Sequence, residues 1–242
     1  MKHIPNLITS LNLVSGFIAV IFASRGDIIS ASWLIVFAMI FDFFDGFTAR
    51  LLKAYSEIGK ELDSLADLVS FGVAPAMIIF HLIGNSVSSD TLILLDEDPV
   101  NSVLLFLPVV MPVCAALRLA KFNIDVSQAT VFKGLPTPAN AIGVITIVLA
   151  ANYTGSELLR SFTGSPLWLL AYTFILSLMM VIRMPLLSLK IKNFSFKGNE
   201  GRYILAGMIV ICYAISGLIV LPLIIPLYII ASVIHFRIIK AE

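Results

Sequence analysis

The sequence predicts an all-α fold, a polytopic transmembrane helical bundle of about eight spans with both termini on the cytoplasmic side. Three observations predict it. Of 242 residues, 59% are hydrophobic and only 13% are charged, and the mean hydropathy is +1.01. Soluble domains carry about 25% charged residues. Apolar runs near the 20 residues needed to cross a bilayer recur along the chain. The basic residues then fall almost wholly on one side of the topology those runs define.

In order, the expected spans are residues 6–23, 31–51, 62–83, 103–122, 135–152, 167–184, 203–220 and 221–236. The last two are closely spaced, and Pro222 and Pro226 leave open a single broken helix. With the N-terminus inside, one side collects Lys2, Arg50, Lys53, Lys60, Arg118, Lys121, Lys133, Arg183, Lys190, Lys192, Lys197, Arg202, Arg237 and Lys240. That is 14 of the 16 basic residues, and only Arg25 and Arg160 fall opposite. An odd number of spans would spoil this asymmetry. The outer loop 84–101 holds Asp90, Asp96, Glu97 and Asp98. A net charge of +1 leaves no footprint for nucleic acid. Cys114 and Cys212 lie within spans and read as inert packing thiols. There is no cleavable-signal pattern, no internal repeat and no low-complexity tract, so residues 1–242 are expected to form one membrane domain.

Four aspartates interrupt the apolar sequence. Asp42 and Asp45 are three residues apart on the second span, and Asp63 and Asp67 are four apart at the start of the third, so each pair shares a helix face. Gly46 and Ala49 lie on or beside the first face and permit close approach. The polar stretch between the spans contains Gly59 and can reverse the chain, bringing the pairs together. A carboxylate at the bilayer centre costs roughly 2.5–3.5 kcal/mol, so four must be offset. Facing carboxylates suit hard divalent cations such as Mg²⁺ or Mn²⁺, and a pair of such ions is a device for phosphoryl chemistry. Solvated helix ends and a cation-transport pathway are the other readings of buried acids.

The string D-x2-D-G-x2-A-R-x8-G-x3-D-x3-D, spanning Asp42 to Asp67, resembles the signature of the CDP-alcohol phosphotransferase family at every position. That resemblance implies transfer of a phosphatidyl group from a CDP-lipid to an alcohol with release of CMP. It implies that Asp42, Asp45, Asp63 and Asp67 hold two divalent ions and that Asp67 is the general base. Gly46, Ala49, Arg50, Ser56 and Gly59 would hold the CDP-lipid. On the first span Asn6, Thr9 and Asn12 recur every three residues before Gly16. Helix packing and capping explain such a stripe, and so does nucleotide contact by Asn6 and Thr9.

Further blocks resemble the bacterial and archaeal phosphatidylserine synthase branch: 67–75, 118–123, 132–140 and, more weakly, 193–197. The branch commonly has Arg where this chain has Lys121, which keeps charge but not bidentate geometry. The resemblance implies CDP-diacylglycerol and L-serine as substrates, with Arg118, Lys121 and Asn123 at the serine. Arg118 suits a carboxylate clamp, although positive-inside bias also accounts for it and for Lys121. Pro136 and Pro138 read as a span-entry turn or a rigid contact loop. Lys190, Lys192 and Lys197 read as an interfacial loop on anionic lipid or a phosphate grip. Partners are thus membrane lipid and the two substrates, with a homodimer expected. Within the family, glycerol 3-phosphate or inositol phosphate are rival acceptors. Outside it, a cation transporter is the rival, which explains the buried acids but not Gly46, Arg50 and Gly59.

Overall fold

A computed structural model describes residues 3–87, 99–124, 132–187 and 199–236. Lys190, Lys192, Lys197, the 193–197 block and the acidic part of the 84–101 loop lie outside them, and so do Lys2, Arg237 and Lys240. Eleven α-helices are described: α1 (His3–Ser24), α2 (Ile28–Leu51), α3 (Glu57–Asp67), α4 (Ala74–Val87), α5 (Pro99–Phe106), α6 (Val110–Ile124), α7 (Thr137–Thr154), α8 (Glu157–Thr163), α9 (Pro166–Val181), α10 (Glu200–Ser216) and α11 (Ile224–Ile234). A two-residue antiparallel pair, β1 (Phe132–Lys133) on β2 (Pro185–Leu186), closes the ends of the loops before α7 and after α9. The all-α class is as expected, and the chain is a multi-pass membrane protein.

Length and apolarity do not confirm all eight expected spans. Five helical stretches are long and apolar enough to cross: His3–Ser24, Ile28–Leu51, Glu57–Val87, Val103–Ile124 and Glu200–Ile234. A sixth arises if α8 and α9, bent by 80°, act together. Eight is therefore more than length and apolarity support, for physical reasons. Helix α7 has 18 residues but carries Thr137, Asn140, Thr146 and Asn152. Helices α9 and α11, with 16 and 11 residues, reach only about 24 and 16 Å at 1.5 Å per residue. The third crossing also begins at Glu57, five residues before the expected start, which sets Asp63 and Asp67 one to three turns inside it.

The stretch Glu200–Ile234 is not one straight rod. A β-carbon added to Gly201 would lie 3.0 Å from the His235 β-carbon. Thirty-four residues of straight helix would separate those positions by about 50 Å. The chain therefore doubles back, at the 3₁₀ segment Gly217–Leu223, whose first residue has φ 58° and ψ −138°. Helices α10 and α11 form an antiparallel hairpin, as the two closely spaced runs suggested, and not the single broken helix.

Helix α1 packs along α2 and also touches α3 and α4. Its buried face is small and polar: Thr9, Asn12, Ser15, Gly16, Ala19 and Ala23. Between α3 and α4 the backbone widens into a π-helical stretch, Leu68–Val73, a feature frequent at functional sites. Three neighbours hold it. Ser70 Oγ donates to the Asn12 carbonyl at 3.1 Å, and Asn140 Nδ2 donates to the Phe71 carbonyl at 3.0 Å. Gly16 lies so close that a β-carbon there would fall 2.1 Å from Ser70 Oγ and 2.7 Å from its Cα. Gly16→Val should therefore push α1 off the π-helical stretch at a cost of roughly 1–3 kcal/mol. A lowered melting temperature together with lost activity is expected; a variant as stable as the parent would show that this packing does not fix the stretch.

At the far end Asp27 caps α2, accepting from the Ser30 amide at 3.0 Å, and that bond holds its carboxyl below the ordinary value. Nearby, Trp33 Nε1 donates to the Tyr153 hydroxyl at 3.2 Å, joining α2 to α7. Both rings are exposed, as expected at a membrane–water interface. Alternating helix directions then gather the starts of α1, α3 and α7 and the ends of α2 and α6 at the opposite end, where all the candidate residues lie.

Candidate active site

Three residues, a little less than one helical turn, separate the two roles of α2's acids. Asp42, Asp63 and Asp67 each present a carboxylate oxygen such that all three lie within 4.8 Å of one another. Asp67 is buried, and Asp42 and Asp63 are half-buried. Asp45, also buried, stands outside this trio: it accepts a 2.6 Å hydrogen bond from Thr9 Oγ1. Asp45 and Asp63 instead face a shared cavity. Like charges at such separations repel by on the order of 3 kcal/mol per pair at an effective dielectric near 20. Few donors offset them. Asn12 Nδ2 reaches Asp67 Oδ1 at 3.4 Å and Thr137 Oγ1 reaches Asp67 Oδ2 at 3.5 Å, both long bonds. The trio could hold a divalent cation, and the surroundings fit one: carboxylate oxygens converge, and the buried amide oxygens Asn12 Oδ1 and Asn140 Oδ1 find no partner among the described residues.

Beside the acids lies a cavity of about 200 Å³, lined by α1, the end of α2, the following loop and the start of α3. Six expected donor-lipid residues line it: Asn6, Thr9, Gly46, Ala49, Ser56 and Gly59. Ser56 caps α3 by accepting from the Gly59 amide at 3.0 Å. A β-carbon on Gly59 would sit 2.9 Å from both Asn6 Oδ1 and Ser56 Oγ, so glycine lets α1 and α3 meet there. Arg50 is exposed and does not line the cavity, but its Nη1 lies 3.9 Å from the position a Gly46 β-carbon would take.

The three residues expected at the serine are not brought together. Arg118 is buried, 8% exposed, with Asp67 and Tyr228 as its electrostatic neighbours. Lys121 is exposed. Asn123 is engaged elsewhere: its Nδ2 donates to Ser64 Oγ at 2.9 Å, and its carbonyl accepts from Lys60 Nζ at 2.8 Å. Asn123 thus clasps α6 to α3. Pro136 precedes α7 and Pro138 lies in its first turn, and the helix start they fix aims Thr137 at Asp67. Sequence reasoning passed over Thr137, Asn140 and Asn12 as site residues. Asn12 continues the Asn6–Thr9 stripe by one step, a usable signal. Thr137 and Asn140 lie in the 132–140 block that resembles the family branch, which marked the segment but gave neither residue a role.

Grouped carboxylates beside a cavity, in a multi-pass membrane protein, suit a class of membrane enzyme that handles a phosphorylated substrate through divalent ions. The chain belongs to the CDP-alcohol phosphatidyltransferase family, whose pattern it matches over residues 2–182. It is 40% identical over 153 residues to the CDP-diacylglycerol–serine O-phosphatidyltransferase of Bacillus subtilis, covering 63% of this chain and 78% of that protein. Proteins of the same name are similar in Helicobacter pylori (35% over 150 residues, 61% of this chain and 58% of that one) and Saccharomyces cerevisiae (36% over 167 residues, 62% and 54%). The aligned part spans little more than half the length of those last two relatives. Members of this family use divalent metals, in keeping with the acidic trio.

Proposed function

We propose that this protein transfers the phosphatidyl group of CDP-diacylglycerol to L-serine, releasing phosphatidylserine and CMP. The observation that supports it best is the convergence of Asp42, Asp63 and Asp67 beside the cavity lined by Asn6, Thr9, Gly46, Ala49, Ser56 and Gly59. The names of the relatives favour serine as the acceptor.

Asp42, Asp45, Asp63 and Asp67 would hold two divalent ions, Mg²⁺ or Mn²⁺. When bound, such ions neutralise the diphosphate and the charge that develops on the departing CMP. Thr9 fixes the Asp45 carboxylate, and Asn12 and Thr137 orient Asp67. Arg50, exposed beside Gly46, would have to swing toward the cavity to meet the diphosphate; Asn6 and Ser56 serve the cytidine. Asp67 takes the serine hydroxyl proton. The serine oxygen then bonds to the β-phosphorus in line, as the bond from that phosphorus to the CMP oxygen breaks. No covalent intermediate on the protein is involved. The acyl chains of the donor stay in the bilayer, so the cavity opens toward lipid, while serine and the nucleotide come from water.

Arg118 is the residue we assign to the serine carboxylate. It is the one arginine of its helix, it is buried, and its Nε lacks a partner among the described residues. A charge-assisted bidentate pair contributes roughly 1.5–3 kcal/mol. Arg118→Lys should raise the serine KM about ten- to a hundredfold and leave the CDP-diacylglycerol KM nearly unchanged. An unchanged serine KM with a raised lipid KM would move Arg118 to the donor phosphates. A denser basic pocket would be wanted by a phosphorylated acceptor such as glycerol 3-phosphate or inositol phosphate; among described residues Arg118 is the buried cation.

The proposed setting is the cell membrane, with the site facing the cytoplasm and the protein working as a homodimer. The basic-residue asymmetry supports the orientation. A cysteine at Ser24, at the far end of α1, should react with an impermeant reagent from outside intact cells; reaction only after lysis would reverse the topology.

A further inference from the structure

The loop that carries the chain from α2 to α3 is built around a strained residue. Lys53 has φ 49°, the left-handed region, and it is the only described non-glycine residue there. Glycine normally fills such a position, and a lysine costs roughly 1 kcal/mol or more. Its amide donates to the Arg50 carbonyl at 3.2 Å, and the next amide, Ala54, donates to the Ala49 carbonyl at 2.9 Å. This is the Schellman arrangement that ends a helix with its last carbonyls satisfied. The turn sends Ala54 inward, 6% exposed, and leaves Tyr55 outward, 68% exposed, although both line the cavity.

Tyr55 is therefore fixed in backbone position but free on most of its ring. It lines the cavity together with Asn6, Ser56 and Gly59 and with the acids Asp45 and Asp63. An exposed aromatic face next to an amide side chain suits a planar heterocycle. The ring offers a stacking surface, and the Asn6 amide offers both a donor and an acceptor. Given the proposed donor, that heterocycle is its cytosine, and the diphosphate would extend from there toward the carboxylates.

We propose that Tyr55 is the platform on which the cytosine of the nucleotide stacks, and that the left-handed turn at Lys53 holds its ring over the cavity. This rests on the reading of the cavity as the CDP-lipid site. The competing role for an exposed tyrosine at this depth is anchorage in the headgroup layer.

The test uses soluble CMP, which has the base and one phosphate but no acyl chain, titrated calorimetrically into the purified full-length protein with Mg²⁺. Base–aromatic stacking removed by alanine lowers affinity roughly five- to a hundredfold. Tyr55→Ala should weaken CMP by that range, and Tyr55→Phe, which keeps the ring, should bind within about twofold of the parent. The affinity for ribose 5-phosphate, which lacks the base, should be the same in all three. Equal CMP affinity for Tyr55→Ala and parent would overturn the proposal and leave Tyr55 as an interfacial anchor. An equal loss in Tyr55→Phe would overturn it too, because the hydroxyl and not the ring would then carry the contact. Failure of the parent protein itself to bind CMP would instead sink the reading of the cavity.

Discussion

Asp42→Asn and Asp63→Asn are each expected to abolish CMP release while the protein still inserts and folds. Both side chains belong to the trio whose oxygens lie within 4.8 Å of one another, so each variant removes a candidate metal ligand. Substitutions one layer outside a metal site commonly cost 10- to 100-fold, and loss of a ligand itself should exceed about 100-fold. The same substitutions remove a like-charge repulsion from a partly buried cluster. In chelated buffer the variants should therefore melt at or above the temperature of the parent, and the parent should gain more stability from added Mg²⁺ or Mn²⁺ than they do. That divergence separates a ligand from a residue that simply holds the fold. Full activity of either variant in chelator would contradict the metal reading.

Asp67→Asn should separate binding from chemistry. Asp67 is the most enclosed of the trio, approached by Asn12 from α1 and Thr137 from α7, and it lies on the Arg118 side of the cluster. Removing a general base costs about 10²–10⁴-fold. The kcat should fall by that range, while CDP-diacylglycerol still binds with an affinity within about tenfold of the parent. Activity retained within tenfold would place the base elsewhere. Loss of donor binding along with turnover would make Asp67 a ligand for the donor's metal first and a base second. Thr137→Val gives an internal comparison, since it removes only a long hydrogen bond and should cost far less.

Much of this site was legible because its parts are local. The pairs Asp42/Asp45 and Asp63/Asp67 follow from helical spacing, and the polar reversal between them from Ser56 and Gly59. The structure nevertheless divides the four acids, because Thr9 of α1 takes Asp45 toward the cavity. Contacts from distant segments were not legible. Thr137 and Asn140 reach the third crossing from about 70 residues away, and only the packing of α7 on the π-helical stretch reveals them. The π-helical stretch itself has no signature in Leu68–Val73, which reads as ordinary apolar helix. Asn123 was misleading for a related reason. Proximity in sequence to Arg118 suggested a shared ligand, yet five residues along a helix turn the side chain to another face, where it donates to Ser64 while Lys60 takes the Asn123 main-chain carbonyl.

Span counting shows the same division. Hydropathy located every apolar element, but the enclosed helix α7 tolerates Thr and Asn because neighbouring helices cover it, and so dilutes its own signal. The α10–α11 pair has the opposite character: it is strongly apolar and little buried, and the approach of Gly201 to His235 decides for the reversal over the single broken helix.

The most direct measurement is an acceptor assay with the purified full-length protein in CDP-diacylglycerol vesicles, with CMP and the lipid product read together by mass. L-serine with Mg²⁺ or Mn²⁺ should yield CMP and phosphatidylserine in equal amounts, chelator should stop both, and glycerol 3-phosphate or inositol phosphate should yield neither. Metal-dependent CMP release with one of those phosphorylated acceptors and none with serine would contradict the serine assignment, and the absence of CMP release with every acceptor would contradict the account as a whole.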